Sequence, residues 1–359
     1  FKIFILWYAY IVIRSLLTSD PLFSLESSLF YFRFGIFSLA VWFLIEFNKN
    51  SIKILGYFIF FTLGILSVDS IFQFFIGFNL IGIPYNGYRV SSFFGEELKM
   101  GSFIVRFLPI LLCIYFINLE NFIKYKNALL ILTYFICFSV FLSAERLAIF
   151  YLFLTLCLSM IIFFNKKNII LFLSVTVISF ILLLTFSEKH YERIILDTFS
   201  TQFYTYDKDS KKRFFIFSKA HEGHIITAYN IFKSNTLFGK GPKMFRKLCD
   251  KKEFSYSNEL TKHSCSTHPH NTLIQILSSI GIFGFAPFLL FYVYIFYRAI
   301  YFAQNLFKTS IKKSEFLICF IILINFFPFF PSGSFYNNWL GIIYYLPIGI
   351  FLYLHYKVR

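Results

Sequence analysis

Apolar residues in this chain fall in blocks of about 17–25, the length at which a helix crosses a hydrocarbon core, and no compact soluble fold accommodates such a series. Of its 359 residues 58% are hydrophobic and 14% charged, against about 25% charged in a soluble domain. The blocks run over Phe1–Leu17, Leu29–Ile45, Ile52–Ile76, Ser102–Ile117, Ala128–Leu142, Leu147–Phe164, Ile169–Phe186, Thr272–Tyr297, Phe316–Phe330 and Trp339–Tyr353. They predict an all-α polytopic membrane protein of about ten transmembrane helices. A barrel is excluded, since its strands would alternate apolar and polar residues. One long polar loop containing short helices interrupts the series. The expected division is one membrane domain: transmembrane helices 1–7 over residues 1–187, the loop over 188–269, and helices 8–10 over 270–359.

A net charge of +16 does not read as a nucleic-acid footprint, because the cations lie between apolar blocks. Alternate short connections carry Lys49 and Lys53, Lys124 and Lys126, Lys166 and Lys167, then Arg298, Lys308, Lys312 and Lys313, and finally Lys357 and Arg359. The positive-inside rule makes these cytoplasmic, with both visible termini inside. Parity puts the long loop outside, where loops longer than about 60 residues escape the charge rule. The first residue is Phe rather than Met, which leaves room for an upstream segment, further spans included. The first apolar block runs into Arg14 with no signal-peptide cleavage site.

Cys113, Cys137, Cys157 and Cys319 lie within apolar blocks, and Cys249 and Cys265 lie in the loop. An oxidising outer compartment allows the loop pair to form a disulfide; the alternative is two free thiols. Six of the seven histidines, His190, His221, His224, His263, His268 and His270, fall in the loop or at its exit. The densest run is Cys265-Ser266-Thr267-His268-Pro269-His270-Asn271, directly before an apolar helix that Asn271 can cap. His270 thereby stands on a rigid element at the membrane interface, where an imidazole suits proton transfer. His221-x-x-His224 with His268-x-His270 has metal-ligand types, but its spacing matches no zinc pattern, so no metal and no cofactor are expected.

Arg146 opens a membrane helix in Ser143-Ala144-Glu145-Arg146, Arg89 lies in the loop after Ile52–Ile76, and Arg213 lies in the long loop. Arginine at a helix mouth faces the protein interior or a wet cavity, and its planar fork suits phosphate oxygens. Snorkelling or pairing with Glu96, Glu97 or Glu145 is the competing explanation. Arg14, Arg33 and Arg106 read equally well as structural. Gly239-Lys240-Gly241-Pro242-Lys243 lacks the P-loop ending and reads as a tight turn whose backbone amides are a candidate anion contact.

Taken together, Phe238-Gly239-Lys240-Gly241-Pro242, then Thr267-His268-Pro269-His270-Asn271 with Leu273, Gln275, Gly281 and Gly284, resemble the "fGxGxxxF … HxHNxxLxxxxxxGxxG" pattern of O-antigen ligases and related O-antigen polymerases. Ser143–Ala148 is similar to the family's "SxxRxA", and Phe93–Leu98 with Gly101 extends the likeness, which covers about residues 69–284. The resemblance implies a metal-independent, inverting glycosyltransferase of the bacterial inner membrane. It moves a glycan from an undecaprenyl-pyrophosphate-linked donor to the lipid A core or another glycan acceptor at the periplasmic face, among membrane lipids and without nucleic acid. By the same resemblance His270 is the essential histidine and base, and Arg146, with Arg89, meets the donor pyrophosphate. His268, Asn271, Gly239 and Gly241 support them. Where the family carries an arginine in the loop helix before "GxG", this sequence has His224, with Glu222 nearby. Either His224 or Arg213 takes that role, or the pyrophosphate is handled differently. The leading function is O-antigen ligase. The alternatives are a polymerase extending lipid-linked repeats, a protein O-oligosaccharyltransferase, and, outside the enzymes, a polysaccharide flippase or transporter. A transporter would show ionisable residues and broken helices near the bilayer midplane.

Overall fold

The computed structural model describes residues 1–118, 125–163, 166–202, 205–206, 212–213, 219–256 and 264–357, with only the backbone of those within 159–171, 201–220 and at 357. It is an all-α polytopic membrane protein apart from one two-stranded ribbon, β1 (Thr205–Tyr206) and β2 (Lys212–Arg213), antiparallel with Thr205 opposite Arg213. Among the described residues five helices are long and apolar enough to cross a membrane, or six if Phe172–Phe186 and Glu188–Ser200, bent by 110°, count as one span. Lys126–Leu142 and Arg146–Leu158 are shorter apolar helices. Two compact units share the chain. The first takes Phe1–Phe43, Ser200–Arg298 and Ile322–Tyr353; the second takes Leu44–Phe199, Ala299–Ile321 and Leu354–Arg359.

In the first unit α1 (Lys2–Leu16) packs on α2 (Pro21–Ser28). Asp20 caps α2 by accepting from Phe23 N at 3.2 Å, with Pro21 at the position where a missing N–H costs nothing. From α3 (Phe32–Phe47) and the turn before it, Phe34 and Tyr31 join Trp7, Phe335 and Tyr345 in an aromatic core. Tyr31 lies 5.3 Å from Phe335 and Phe34 lies 5.6 Å from Tyr345, distances at which ring pairs attract beyond their buried area.

In the second unit α4 (Asn50–Ile76) packs on α5 (Met100–Ile117) and α6 (Lys126–Leu142); α5 also packs on α7 (Arg146–Phe163), and α6 on α8 (Lys166–Phe186). Ser139 Oγ donates across to Ser67 O at 3.2 Å, a polar contact between helices of the kind that holds membrane bundles together. The mid-helix Arg106 donates to Ser102 O at 3.1 Å and lies over the Tyr151 ring at 5.3 Å. Gly77, at φ 92°, ends α4. Beyond it the connection folds back on polar residues of α4. Asp69 Oδ1 accepts from Leu80 N at 2.8 Å and its Oδ2 from Ser92 Oγ, while Gln73 Oε1 accepts from Ser92 N at 2.7 Å. Two buried side chains therefore hold the loop that carries Arg89.

After α8 come α9 (Glu188–Tyr191), a π-helical turn (Glu192–Leu196) and α10 (Asp197–Gln202). The long loop continues through α11 (Lys219–Lys233) and α12 (Phe245–Leu248) to α13 (Thr272–Gln304), α14 (Ser310–Asn325) and α15 (Asn338–Lys357). The apolar run Phe316–Phe330 is helical only to Asn325. Pro328 lacks the N–H to continue it, and its carbonyl instead accepts from Asn271 Nδ2 at 2.6 Å.

Candidate active site

Four imidazoles meet in the first unit. His221 and His224, three apart and so on one face of α11, lie 4.9 and 5.2 Å from His270 between ring centroids, and His268 lies 4.1 Å from it. The same face of α11, further along, explains its placement. Ala228 and Ile231 pack with Met244, Phe245, Leu248, Cys249 and Phe254 in a small core, against which Cys265 and Ile274 also lie. A disulfide between Cys249 and Cys265, whose Cα atoms are 4.9 Å apart, ties this core to the histidine run.

His270 sits at φ 54°, a left-handed conformation that costs a non-glycine residue about 1–3 kcal/mol and is concentrated at functional sites. It is held from several directions. Its carbonyl accepts from Ser332 N at 2.9 Å, Ser266 Oγ lies 3.1 Å from its Nε2, and Asn271 Oδ1 accepts from Ile274 N at 3.2 Å to cap α13. Gln275 fixes the facing segment, donating to Ser334 Oγ at 2.9 Å and accepting from Phe335 N at 2.8 Å. His268 Nε2 lies 3.3 Å from Ser332 O. Burial first, then the charges of His268, His221 and His224, push the His270 imidazole down to about 3, so at neutral pH the ring is uncharged, with one nitrogen bearing a proton and the other able to accept one. The rings tilt and stack, at 30° for His224 on His270. Among the described residues the donor atoms that gather within 4.8 Å of one another as a metal site would are those of Cys249, Asp250 and Cys265, and those two sulfurs are bonded to each other.

The Gly-Lys-Gly turn has a different task from the anion contact considered for it. Gly281, at φ 64° and ψ −169°, breaks α13. In an unbroken helix Ile282 N and Phe283 N would meet the carbonyls of Ser278 and Ser279. Instead they donate to Thr236 O at 2.9 Å and Leu237 O at 3.2 Å, while Lys240 N and Gly241 N donate to Ser278 O at 2.9 Å and Ser279 O at 2.7 Å. The two bonds lost inside the helix free four backbone groups, and all four are taken up by bonds to residues 236–241, which avoids leaving them unsatisfied in an apolar medium. The approach requires glycine: a Cβ at Gly239 would lie 2.5 Å from Ser279 C, and one at Gly281 2.3 Å from Leu237 O. From α1, Arg14 donates to Gly239 O at 2.6 Å, Tyr10 to Ile280 O at 2.8 Å and Trp7 to Gly284 O at 2.7 Å. Arg14 is therefore a clamp on this turn.

The second unit carries Arg89, Arg146 and Arg193. Ala144, at φ 49°, makes the corner between α6 and α7 and presents Glu145 and Arg146. Glu145 accepts from Gly101 N at 2.8 Å and Ser102 Oγ at 2.5 Å, capping α5. Burial raises its carboxyl above the usual range, with the Ser102 hydrogen bond and Arg89 opposing. Arg89 donates to Ser143 O at 3.0 Å and Leu98 O at 2.8 Å and stands 3.6 Å from Glu145. Arg146 reaches Thr198 Oγ1 at 3.5 Å. Arg193, which no motif in the sequence singles out, pairs with Asp197 at 3.6 Å. His190 is a buried structural residue here: Ser187 Oγ lies 2.7 Å from its Nδ1 and Leu142 O 3.1 Å from its Nε2, and burial lowers its pKa against that carbonyl contact. Arg213 belongs to β2, where only its backbone is described, and His263 lies outside the described residues.

An all-α fold of long apolar helices with a half-buried, strained imidazole beside three others defines a polytopic membrane protein with a candidate proton-transfer site. Residues 129–289, which include Arg146, the Gly-Lys-Gly turn and all four clustered histidines, match the family model described as O-antigen ligase. No curated protein and no solved structure matches the chain.

Proposed function

We propose that the protein is a glycosyltransferase of the O-antigen ligase type, moving a glycan from an undecaprenyl pyrophosphate to the lipid A core oligosaccharide at the periplasmic face of a bacterial inner membrane. The proposed topology has about ten spans, because each apolar block is near spanning length. Both visible termini are cytoplasmic and residues 188–269 form the periplasmic loop. The observation that carries the reading is His270, strained, half-buried and beside three imidazoles, within the segment that matches the family model.

In the proposed reaction the acceptor hydroxyl attacks the anomeric carbon, the bond from that carbon to the diphosphate oxygen breaks, and the hydroxyl proton passes to His270. Attack opposite the leaving group inverts the anomeric configuration, and no metal takes part. A base at about 3 is weak, but an anionic donor beside the cluster raises it toward the range a general base needs. Arg89 and Arg146 are proposed to meet the leaving diphosphate, whose developing charge aimed cations stabilise. His224 and His268 support the base, and the role of Arg213 is left to mutagenesis. The broken helix is also a device of transporters, yet the groups freed at Gly281 are taken up by the Gly-Lys-Gly turn.

Deleting the gene and separating the surface glycolipids tests this reading. Ligase loss leaves bare lipid core and accumulated lipid-linked polymer. A core bearing a single repeat would assign a polymerase instead, and an unchanged profile would remove both.

A further inference from the structure

The two histidines of the His268-Pro269-His270 run are held differently. His268 has both ring nitrogens engaged: Thr267 Oγ1 lies 2.8 Å from its Nδ1 and Ser332 O 3.3 Å from its Nε2. A carbonyl only accepts, so in the neutral ring Nε2 carries the proton and Nδ1 accepts from the Thr267 hydroxyl. His270 has one nitrogen engaged, Nε2, with Ser266 Oγ at 3.1 Å. Its Nδ1 makes no hydrogen bond among the described residues, and the residue is half-buried rather than enclosed.

Ser266 is itself fixed. Cys265, the residue before it, is bonded to Cys249, which is wholly buried in the small core on which α11 rests. Pro269 is buried and His270 turns left-handed at φ 54°, folding the run back so that the imidazole meets the hydroxyl four residues earlier. Beyond this corner His270 O accepts from Ser332 N at 2.9 Å and Asn271 caps α13. The backbone is therefore held on both sides of the Ser266–His270 contact. A hydroxyl meets an imidazole nitrogen either as donor or as acceptor. As donor, Ser266 would occupy the lone pair on Nε2 and leave a proton on Nδ1, so the open nitrogen would have nothing to accept with. As acceptor, it takes the Nε2–H and leaves the lone pair on the open Nδ1.

We infer that Ser266 is a positioning residue for the transfer reaction: its hydroxyl accepts the Nε2–H of His270 and keeps the lone pair on Nδ1, the atom that receives the acceptor proton. The inference rests on the proposed function in making His270 the base. The hydrogen bond at one ring nitrogen decides which nitrogen is left to take a proton. In the step, the acceptor O–H bond breaks and its proton goes to Nδ1, while the oxygen's electron pair forms the bond to the anomeric carbon. The bond from that carbon to the diphosphate oxygen breaks, and its pair leaves with the diphosphate. The ring becomes an imidazolium, whose Nε2–H makes a charge-assisted bond to Ser266, stronger than that of the neutral ring. A contact that strengthens as the proton moves lowers the barrier, although Ser266 touches no substrate.

The test joins ring-nitrogen NMR to transfer kinetics on the full chain in lipid nanodiscs. With isotope-labelled histidine, and His270→Gln to assign the signal, wild type at neutral pH is expected to show His270 protonated on Nε2 and bare on Nδ1. Transfer from an undecaprenyl-pyrophosphate-linked glycan should fall about ten- to hundredfold in kcat in Ser266→Ala, with KM within about twofold. Ser266→Thr, which keeps the hydroxyl, should recover most of that loss. Circular dichroism reports whether each variant is folded; if Ser266→Ala is not, the wild-type tautomer and the rate of Ser266→Thr decide. A proton on Nδ1 in wild type, or an undiminished kcat in folded Ser266→Ala, overturns the inference. Full activity of Ser266→Ala beside an inactive His270→Ala would sink this inference alone, whereas a fully active His270→Ala would sink the proposed base and this inference with it.

Discussion

His270 combines three properties that a passive surface histidine lacks: left-handed backbone, partial burial, and contact with three further imidazoles. Replacing it with Ala should lower transfer by about 10²–10⁴-fold, the range of general-base catalysis, while protein level stays normal; a glycolipid gel with an immunoblot checks both. Its pH behaviour has a definite sign. The folded value, about 3, lies below the ordinary 6.5. The unfolded chain therefore takes up a proton first as pH falls, and stability is lost progressively from pH 6.5 down toward 3. Wild type should lose more of its thermal midpoint between pH 7 and pH 5 than His270→Gln does, as followed by circular dichroism. Both His270 and Arg146 were legible in the sequence as candidates only, because each combines a chemically apt side chain with a recognisable neighbourhood. Arg193 was not. It stands in no motif, and a 110° bend and a π turn place it in the segment whose Thr198 Arg146 contacts.

Between residue and molecule, the broken helix α13 and the turn that closes it act as one element. Gly281→Ala would place a methyl 2.3 Å from Leu237 O at a left-handed position. A loss of at least about 1–3 kcal/mol is expected from the backbone alone, measurable as a drop in the thermal midpoint of the purified protein. The disulfide Cys249–Cys265 closes a loop of sequence separation 16. Its removal by a double Cys→Ala change should cost roughly 3 kcal/mol and loosen the segment carrying Ser266 and His270, read as faster hydrogen exchange there. Glu145→Ala should cost about 1–2 kcal/mol through the lost cap on α5, again seen in thermal unfolding. Apolar runs foretold the helices well, since lipid demands continuous hydrophobic length. The break in α13 was hidden because Gly281 lies inside such a run, and only the exchanged backbone bonds reveal why it is there. The same exchange explains why the Gly-Lys-Gly turn looked like an anion contact: its amides are positioned to donate, but to carbonyls of Ser278 and Ser279.

Across the whole molecule, among the described residues, the imidazole cluster belongs to the first unit and Arg89, Arg146 and Arg193 belong to the second. That distribution suits an enzyme whose lipid-linked donor lies in the bilayer and whose reacting sugar lies outside it. The most direct measurement incubates the purified full chain, in lipid nanodiscs, with an undecaprenyl-pyrophosphate-linked glycan and lipid A core. Joined glycolipid and released undecaprenyl pyrophosphate are followed by mass spectrometry, for wild type and for folded His270→Ala. The expected result is transfer by wild type and a rate at least about 10²-fold lower for the variant; equal transfer by both, or none by wild type, would contradict the account.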